Sequence, residues 1–341
     1  MDKVLSTTFH VLRFPLALLV VFLHIDAMPG IEVLKYPWGQ ESSLSIYYLI
    51  VTLVVVLANL AVPLFFFMSG FLLFAKQPPL TVSHYVQVQK KKIVSLWLPY
   101  ILWNLFAVPY LYVSTGSKLH TMEEIFLAPA NFPLWFLRDL ILLFMVYPLL
   151  QVMIQYTRWI GLLVLVLIYV SGISPCIGWL QFVSLFFFSW GGYCGWWQLT
   201  PNCFTSIQTK GITIGALGLY AATFLAYGGP AFVGLNRFFL MLGVGAILLL
   251  TYTFLSRHSL NARQLQCIHW LSASSFFVYL SHKLGPTYLA NFFFRSLEQT
   301  EVVMIFRFLV APFLAAGICY LIFVFLSKKM PCVLSFLVGR K

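Results

Sequence analysis

Charge is scarce in this chain. Lysine, arginine, aspartate and glutamate together make up 9% of its 341 residues, against roughly a quarter of an ordinary soluble domain. With 61% hydrophobic residues and a mean hydropathy of +0.91, so few charges cannot clothe a soluble globule of this size. Nor does a short apolar core with a small-residue cleavage site open the sequence, so the first apolar segment is expected to be a permanent span rather than a cleaved leader. The six cysteines (Cys176, Cys194, Cys203, Cys267, Cys319 and Cys332) form no C-x-x-C pair and show no zinc-ligand spacing. That argues against a metal site and a disulfide framework, and leaves them as small apolar packing residues. No low-complexity tract or long linker is seen, and no extramembrane domain is expected. A clear internal repeat is absent too, which weighs against transporter folds built from inverted repeats.

What is present is one apolar segment after another, each near the roughly 20 helical residues that cross a bilayer core. Spans are expected at 8–26, 44–75, 93–113, 133–155, 157–172, 178–198, 210–228, 235–256, 270–294 and 302–326. The second is too long for one upright crossing and contains Pro63, so a kink is expected there. The fold class is therefore an all-α, polytopic transmembrane helical bundle of about ten spans, occupying 1–341 as a single domain in the lipid bilayer. Basic residues set its orientation. With the N-terminus in the cytoplasm, that side collects Lys3, Lys76, Lys90, Lys91, Lys92, Arg158, Lys210, Arg257, Arg263, Lys328, Lys329, Arg340 and Lys341, while the outside keeps Lys35, Lys118 and Arg295. Both termini are expected in the cytoplasm, and the plasma membrane is the expected location. The net charge of +12 is thereby explained by insertion topology, which argues against nucleic acid as a partner.

Few ionisable groups remain inside the spans: Arg13, His24, Arg138, Asp139, Arg237, His282, Lys283 and Arg307. Each is costly in hydrocarbon unless paired or hydrated, so each is a functional candidate. Arg13 and His24 are eleven residues apart, just over three helical turns, so they project from nearly the same face about 16 Å apart along the axis. Snorkelling of Arg13 to the headgroups and a hydrogen bond from His24 to a neighbouring helix are the bland alternatives. Asp26 is an external cap or loop acid that meets His24 only if the helix ends there. Arg138 and Asp139 are adjacent and point apart, so each is open to pairing with another helix, and Arg138 equally to a ligand. His282 and Lys283 sit midway through the ninth span, directly before Gly285 and Pro286, where the backbone is expected to break beside protein or a wet cavity. Ser69-Gly70 lies at the depth of Arg13. Its glycine permits close approach of a ligand or of another helix.

Five stretches, "RFPLALLVVFLH", "VPLFFFMSGFLL", "KKKIVSLWLPYILW", "LWFLRDLILLFMVYPLL" and "FFVYLSHKLGP", together resemble the integral-membrane acyltransferase family three, which includes many surface-polysaccharide O-acyltransferases. The likeness runs through the first 150 residues and returns at 279–286; residues 157–265 share only their hydrophobicity. It implies that an acyl group, usually acetyl, passes from cytoplasmic acyl-CoA to a hydroxyl of a sugar or glycan at the outer side, with acyl-CoA as co-substrate and no metal. On that resemblance Arg13, Ser69, Gly70, Phe71, Lys90, Lys91 and Lys92 bind the acyl donor, lysines meeting its phosphates as point charges. His24 is the expected general base, since an imidazole ordinarily changes charge near neutral pH, working with Arg13 as the catalytic pair. Asp26, Trp135, Arg138 and His282 are candidates for the acceptor or the oxyanion. A transporter or flippase for a polysaccharide or lipid-linked sugar is the reading from another class, since the abundant aromatics could stack on sugars.

Overall fold

The computed structural model describes residues 2–25, 46–115, 129–173, 176–177, 180–295, 297 and 300–339. Helix α1, Lys3–His24, opens on Asp2, whose carboxylate accepts from the Val4 N–H at 3.2 Å and from the Tyr252 hydroxyl at 2.8 Å. The long second apolar segment is two helices, α2 (Ile46–Ala58) and α3 (Ala61–Phe74). The break at Asn59–Leu60 follows from Pro63, which has no N–H to offer the Asn59 carbonyl. The third segment starts earlier than expected. Helix α4 (Val82–Lys92) runs through a π turn at Ile93–Trp97 into α5 (Leu98–Thr115). Pro99 cannot donate to Ser95, and the Leu98 N–H reaches back five residues to Ile93 instead, a local widening that a missing donor induces.

After a short 3-10 turn at Phe132–Leu134, helix α6 extends over Trp135–Ser171, interrupted at Arg158, where φ is 48° and ψ is −128°. Contacts with α7 (Phe182–Trp196) show what the interruption does. Asp139 meets Ser184, Phe144 meets Phe188 and Thr157 meets Tyr193, but Tyr169 stacks on Phe186. The chain beyond Arg158 therefore runs back alongside the part before it, and the fourth and fifth expected spans are the two arms of a helical hairpin. A two-stranded antiparallel pair, Cys176–Ile177 with Leu180–Gln181, leads into α7; it is the only β-structure among the described residues. The chain continues through α8 (Ser206–Leu225), α9 (Phe232–Arg257), α10 (Ala262–Ser281), α11 (Pro286–Arg295), α12 (Glu301–Lys329) and α13 (Pro331–Leu337). Capping boxes at Thr205–Gln208 and Asn261–Gln264 start α8 and α10, each satisfying two end N–H groups.

Six stretches among the described residues are long and apolar enough to cross a membrane: Lys3–His24, Ile46–Phe74, Val82–Pro109, Phe132–Ser171, Phe232–Arg257 and Glu301–Lys329. The difference from the ten expected has physical causes. Phe132–Ser171 contains two opposed arms. Helix α7 has only 15 residues, α8 is diluted with threonine and glycine, and the ninth segment breaks into α10 and α11 after His282.

Helix α1 packs against α2, α3, α9, α10 and α12. The tightest seam joins α3 to α7. A Cβ on Gly70 would stand 1.9 Å from the Phe188 carbonyl oxygen, and one on Gly191 would stand 2.0 Å from that of Phe67. Without side chains between them the two backbones touch, which matters in lipid, where dispersion contacts rather than water exclusion hold helices together. Edge-to-face rings on both flanks, Phe67 on Trp190 and Phe74 on Phe188, complete the seam.

Candidate active site

A cavity of about 670 Å³ opens at the Arg13 end of α1, a volume within the usual range for small-molecule sites. Its charged lining is all of one sign. Arg13 comes from α1, Lys76 follows α3, and Lys91 and Lys92 come from α4 with His84; among the described residues no carboxylate lines it. Ser69, Ser272 and Ser275 add hydroxyls, and Phe65, Leu72, Leu140 and Phe144 make apolar walls. Helix α4 is pinned in place by side chains reaching the α6 backbone: the Tyr85 hydroxyl donates to Met145 O at 3.1 Å and Gln89 Nε2 to Phe144 O at 2.5 Å. Lys92 Nζ then lies 3.7 Å from the centre of the Phe144 ring, a cation–π contact that keeps its ammonium at the wall. Lys90 is exposed and lies outside the lining, because three successive helical residues are about 100° apart and cannot share a face.

Ser69, Gly70 and Phe71 separate in the same way. Ser69 lines the cavity. Gly70 faces α7, and Phe71 is buried against Phe9 of α1 with ring centres 5.5 Å apart. The structure thus brings Arg13, Ser69, Lys91 and Lys92 to one space, and turns Gly70, Phe71 and Lys90 away from it.

At the other end of α1, the His24 ring lies 5.2 Å, centre to centre, from the ring of His282 and 6.0 Å from that of Phe132. His24 Nδ1 is 2.7 Å from the Val20 carbonyl oxygen. A carbonyl only accepts, so Nδ1 carries the proton and Nε2 presents a lone pair. His282 is fully buried at the end of α10, where the helix gives way to Lys283, Leu284 and Gly285 before α11. Thr287 closes this turn: its N–H and its hydroxyl both donate to the His282 carbonyl, at 2.9 and 2.7 Å. Lys283 Nζ reaches the His24 carbonyl oxygen at 3.5 Å, placing a cation where the α1 dipole ends.

Three helices pass from cavity to imidazoles in the same order. On α1, Arg13 lines the cavity and His24 lies beyond it. On α10, Ser272, Ser275 and Tyr279 line it and His282 follows one turn later. On α6, Phe144, Leu140 and Phe136 line it, and Phe132 lies one turn before Phe136. The boundary is a single aromatic layer: Phe136 and Tyr279 meet edge to face at 5.5 Å, and the Tyr279 hydroxyl donates to Pro133 O at 2.5 Å. One helical turn, about 5 Å, separates the cavity's inner end from His282.

A family model described as an acyltransferase domain matches residues 7–328, a region holding both the cavity and the imidazole pair. The chain belongs to acyltransferase family three. Comparison with curated proteins and comparison with solved structures return no match.

The remaining ionisable groups of this acyltransferase are tied to its frame. Arg138 and Asp139 pair with each other, Nη2 to Oδ1 at 2.7 Å and Nε at 3.0 Å. Adjacent residues do diverge on a helix, but the guanidinium is long enough to fold back onto the carboxylate. Asp139 Oδ2 accepts from the Ser184 hydroxyl at 2.7 Å and the Gln181 N–H at 3.1 Å, so the pair stitches α6 to the start of α7. Trp135 is half-buried at the first turn of α6, Arg237 donates to Val170 O at 3.2 Å, and Arg307 donates to Asn291 Oδ1 at 2.9 Å. Asp26 lies outside the described residues. Sequence reasoning passed over Asn131, which is buried and tied to Leu280 O directly before Phe132, the ring on His24; its signal was an amide directly before the Phe-Pro entry to α6. It also passed over His84 and the serines of α10, which share helix faces with cavity residues at three- and four-residue spacing.

Proposed function

We propose that this acyltransferase carries an acyl group, acetyl by family habit, from acyl-CoA in the cytoplasm to a hydroxyl of a sugar or cell-surface glycan on the outer side of the plasma membrane. The observation that carries the reading is the layout along α1, with its guanidinium in a cation-lined cavity and its imidazole three turns further on. Four basic side chains, with no carboxylate among the described lining residues, suit the phosphates of CoA, and the apolar walls suit the pantetheine arm. His24, with Nδ1–H held by Val20 and the Nε2 lone pair directed away from its own helix, is in the tautomer a general base requires.

The chemistry balances with these groups alone. The acceptor hydroxyl gives its proton to His24 Nε2 as its oxygen bonds to the thioester carbon. The tetrahedral oxyanion collapses, the C–S bond breaks, and the imidazolium returns the proton to the departing CoA sulfur. Lys283, which reaches the His24 carbonyl, is the cation placed to face the oxyanion. For the acyl carbon to arrive, Phe136 and Tyr279 must part, a side-chain motion over one aromatic layer. The test is thermal unfolding of the detergent-solubilised protein. Acetyl-CoA at a hundred times its dissociation constant should stabilise it by about 2.7 kcal/mol, and free acetate should not. Equal behaviour of the two ligands would leave a carrier of sugars as the better description.

A further inference from the structure

Two buried acceptor atoms have nothing to accept from at this end of α1: Nε2 of His282, whose ring lies against His24, and Oδ1 of Asn131, the residue before the Phe132 that packs on His24. Each is fixed as an acceptor by what its partner atom does. His282 Nδ1 is 2.9 Å from Tyr279 O and 3.1 Å from Val278 O, so Nδ1 holds the proton and Nε2 only a lone pair. Asn131 donates through Nδ2 to Leu280 O at 3.1 Å, and its own N–H donates to Asn104 Oδ1 at 3.2 Å; the amide oxygen is thereby turned the other way. The two residues are 0% and 2% exposed. They are also neighbours, since the Asn131 amide holds the residue two before His282, and Phe132 packs on the His24 ring. The other buried polar atoms without partners among the described residues, on Gln151, Ser189, Thr223 and Asn236, are spread one each over α6, α7, α8 and α9.

A buried acceptor lacking a donor destabilises the fold, and two at one place call for a ligand that brings donors. We propose that Asn131 and His282 form the acceptor subsite, each taking a hydrogen bond from hydroxyls adjoining the one that His24 deprotonates. This rests on the acyl-transfer reading above and narrows it. The acceptor carries at least two neighbouring hydroxyls, and it is uncharged where it meets these atoms, because a phosphate or carboxylate oxygen would face lone pairs on both sides.

The test uses membranes containing the full chain and radiolabelled acetyl-CoA, measuring label passed to membrane acceptors, acetate released to water, and the KM for acetyl-CoA. In His282→Asn the amide nitrogen stands in for Nδ1 toward the two carbonyls while the Nε2 lone pair is gone; Asn131→Leu keeps volume and removes the amide oxygen. Each should lower transfer to acceptor about tenfold, leave the KM for acetyl-CoA unchanged, and raise the ratio of acetate released to acyl group transferred. Unchanged transfer, or a parallel fall of transfer and hydrolysis, overturns the proposal. Should Asn131→Leu not fold, His282→Asn decides alone. In the wild type, added ethylene glycol should capture more label than added ethanol, and in His282→Asn that preference should shrink, Asn131 being left as the one acceptor. Equal capture by the wild type overturns the two-hydroxyl requirement. If the wild type neither binds nor consumes acetyl-CoA, it is the acyl-transfer reading that fails, and this subsite falls with it.

Discussion

The two ends of α1 serve opposite electrostatic demands. Around Arg13 the wall offers positive charge and hydrogen-bond donors: a guanidinium, three ammonium groups and hydroxyls, open enough to form a cavity. Toward His24 it offers lone pairs: the Nε2 of two neighbouring imidazoles and, on the residue before Phe132, the amide oxygen of Asn131. The first environment suits an anion and the second suits alcohols. A single aromatic layer, Phe136 on Tyr279, keeps them apart. A transporter that moves one molecule from side to side would need a path with one chemical character. A transferase needs two compartments that meet at a single bond.

The largest expected effect comes from removing the proposed base. His24→Ala should lower acyl transfer by on the order of 10² to 10⁴-fold, while acetyl-CoA still stabilises the protein thermally. Retained turnover at equal expression would show that the two ends are not divided as described. The opposite end should respond in binding rather than in chemistry. Arg13→Gln should raise the KM for acetyl-CoA about tenfold with a smaller change in kcat, as loss of a charge-assisted contact does. Raising ionic strength should weaken donor binding in the same direction, and the acceptor KM should hardly move. A fall in kcat alone would mean that Arg13 acts on the reacting atoms. The smallest effect on catalysis belongs to the frame. Gly70→Ala places a methyl against the Phe188 carbonyl and should cost about 1–3 kcal/mol of stability as overpacking does, read as a lower unfolding midpoint. The folded fraction should keep its KM for donor and acceptor.

Much of the backbone plan was legible before any coordinates. Proline and glycine mark where helices fail, so the break ahead of Pro63 and the one at Gly285-Pro286 follow from missing donors and freed dihedrals. The reversal at Arg158 was legible as a gap between hydrophobic runs, though nothing in an arginine announces a positive φ. The joint depth of Arg13 and Ser69 follows from counting inward along each segment. Directions were less legible. "SGF" and "KKK" are contiguous in the chain, yet each divides among different neighbours, since 100° steps send adjacent residues to cavity, helix seam and solvent. The Arg138–Asp139 pairing escaped the same rule in reverse, because a long side chain can bend back where the backbone diverges.

Composition alone determined that this protein is a bundle of helices in lipid, and the spacing of Arg13 and His24 determined that one helix face carries a cation and an imidazole about 16 Å apart, because helical rise and rotation are properties of the backbone. Which residues surround those two groups was decided only by tertiary packing. Lys92 under Phe144, Asn131 tied to Leu280 and His282 beside His24 are far apart in the chain. Their meeting depends on where helices cross, and crossing is set by the fit of glycine seams and aromatic edges over the whole bundle.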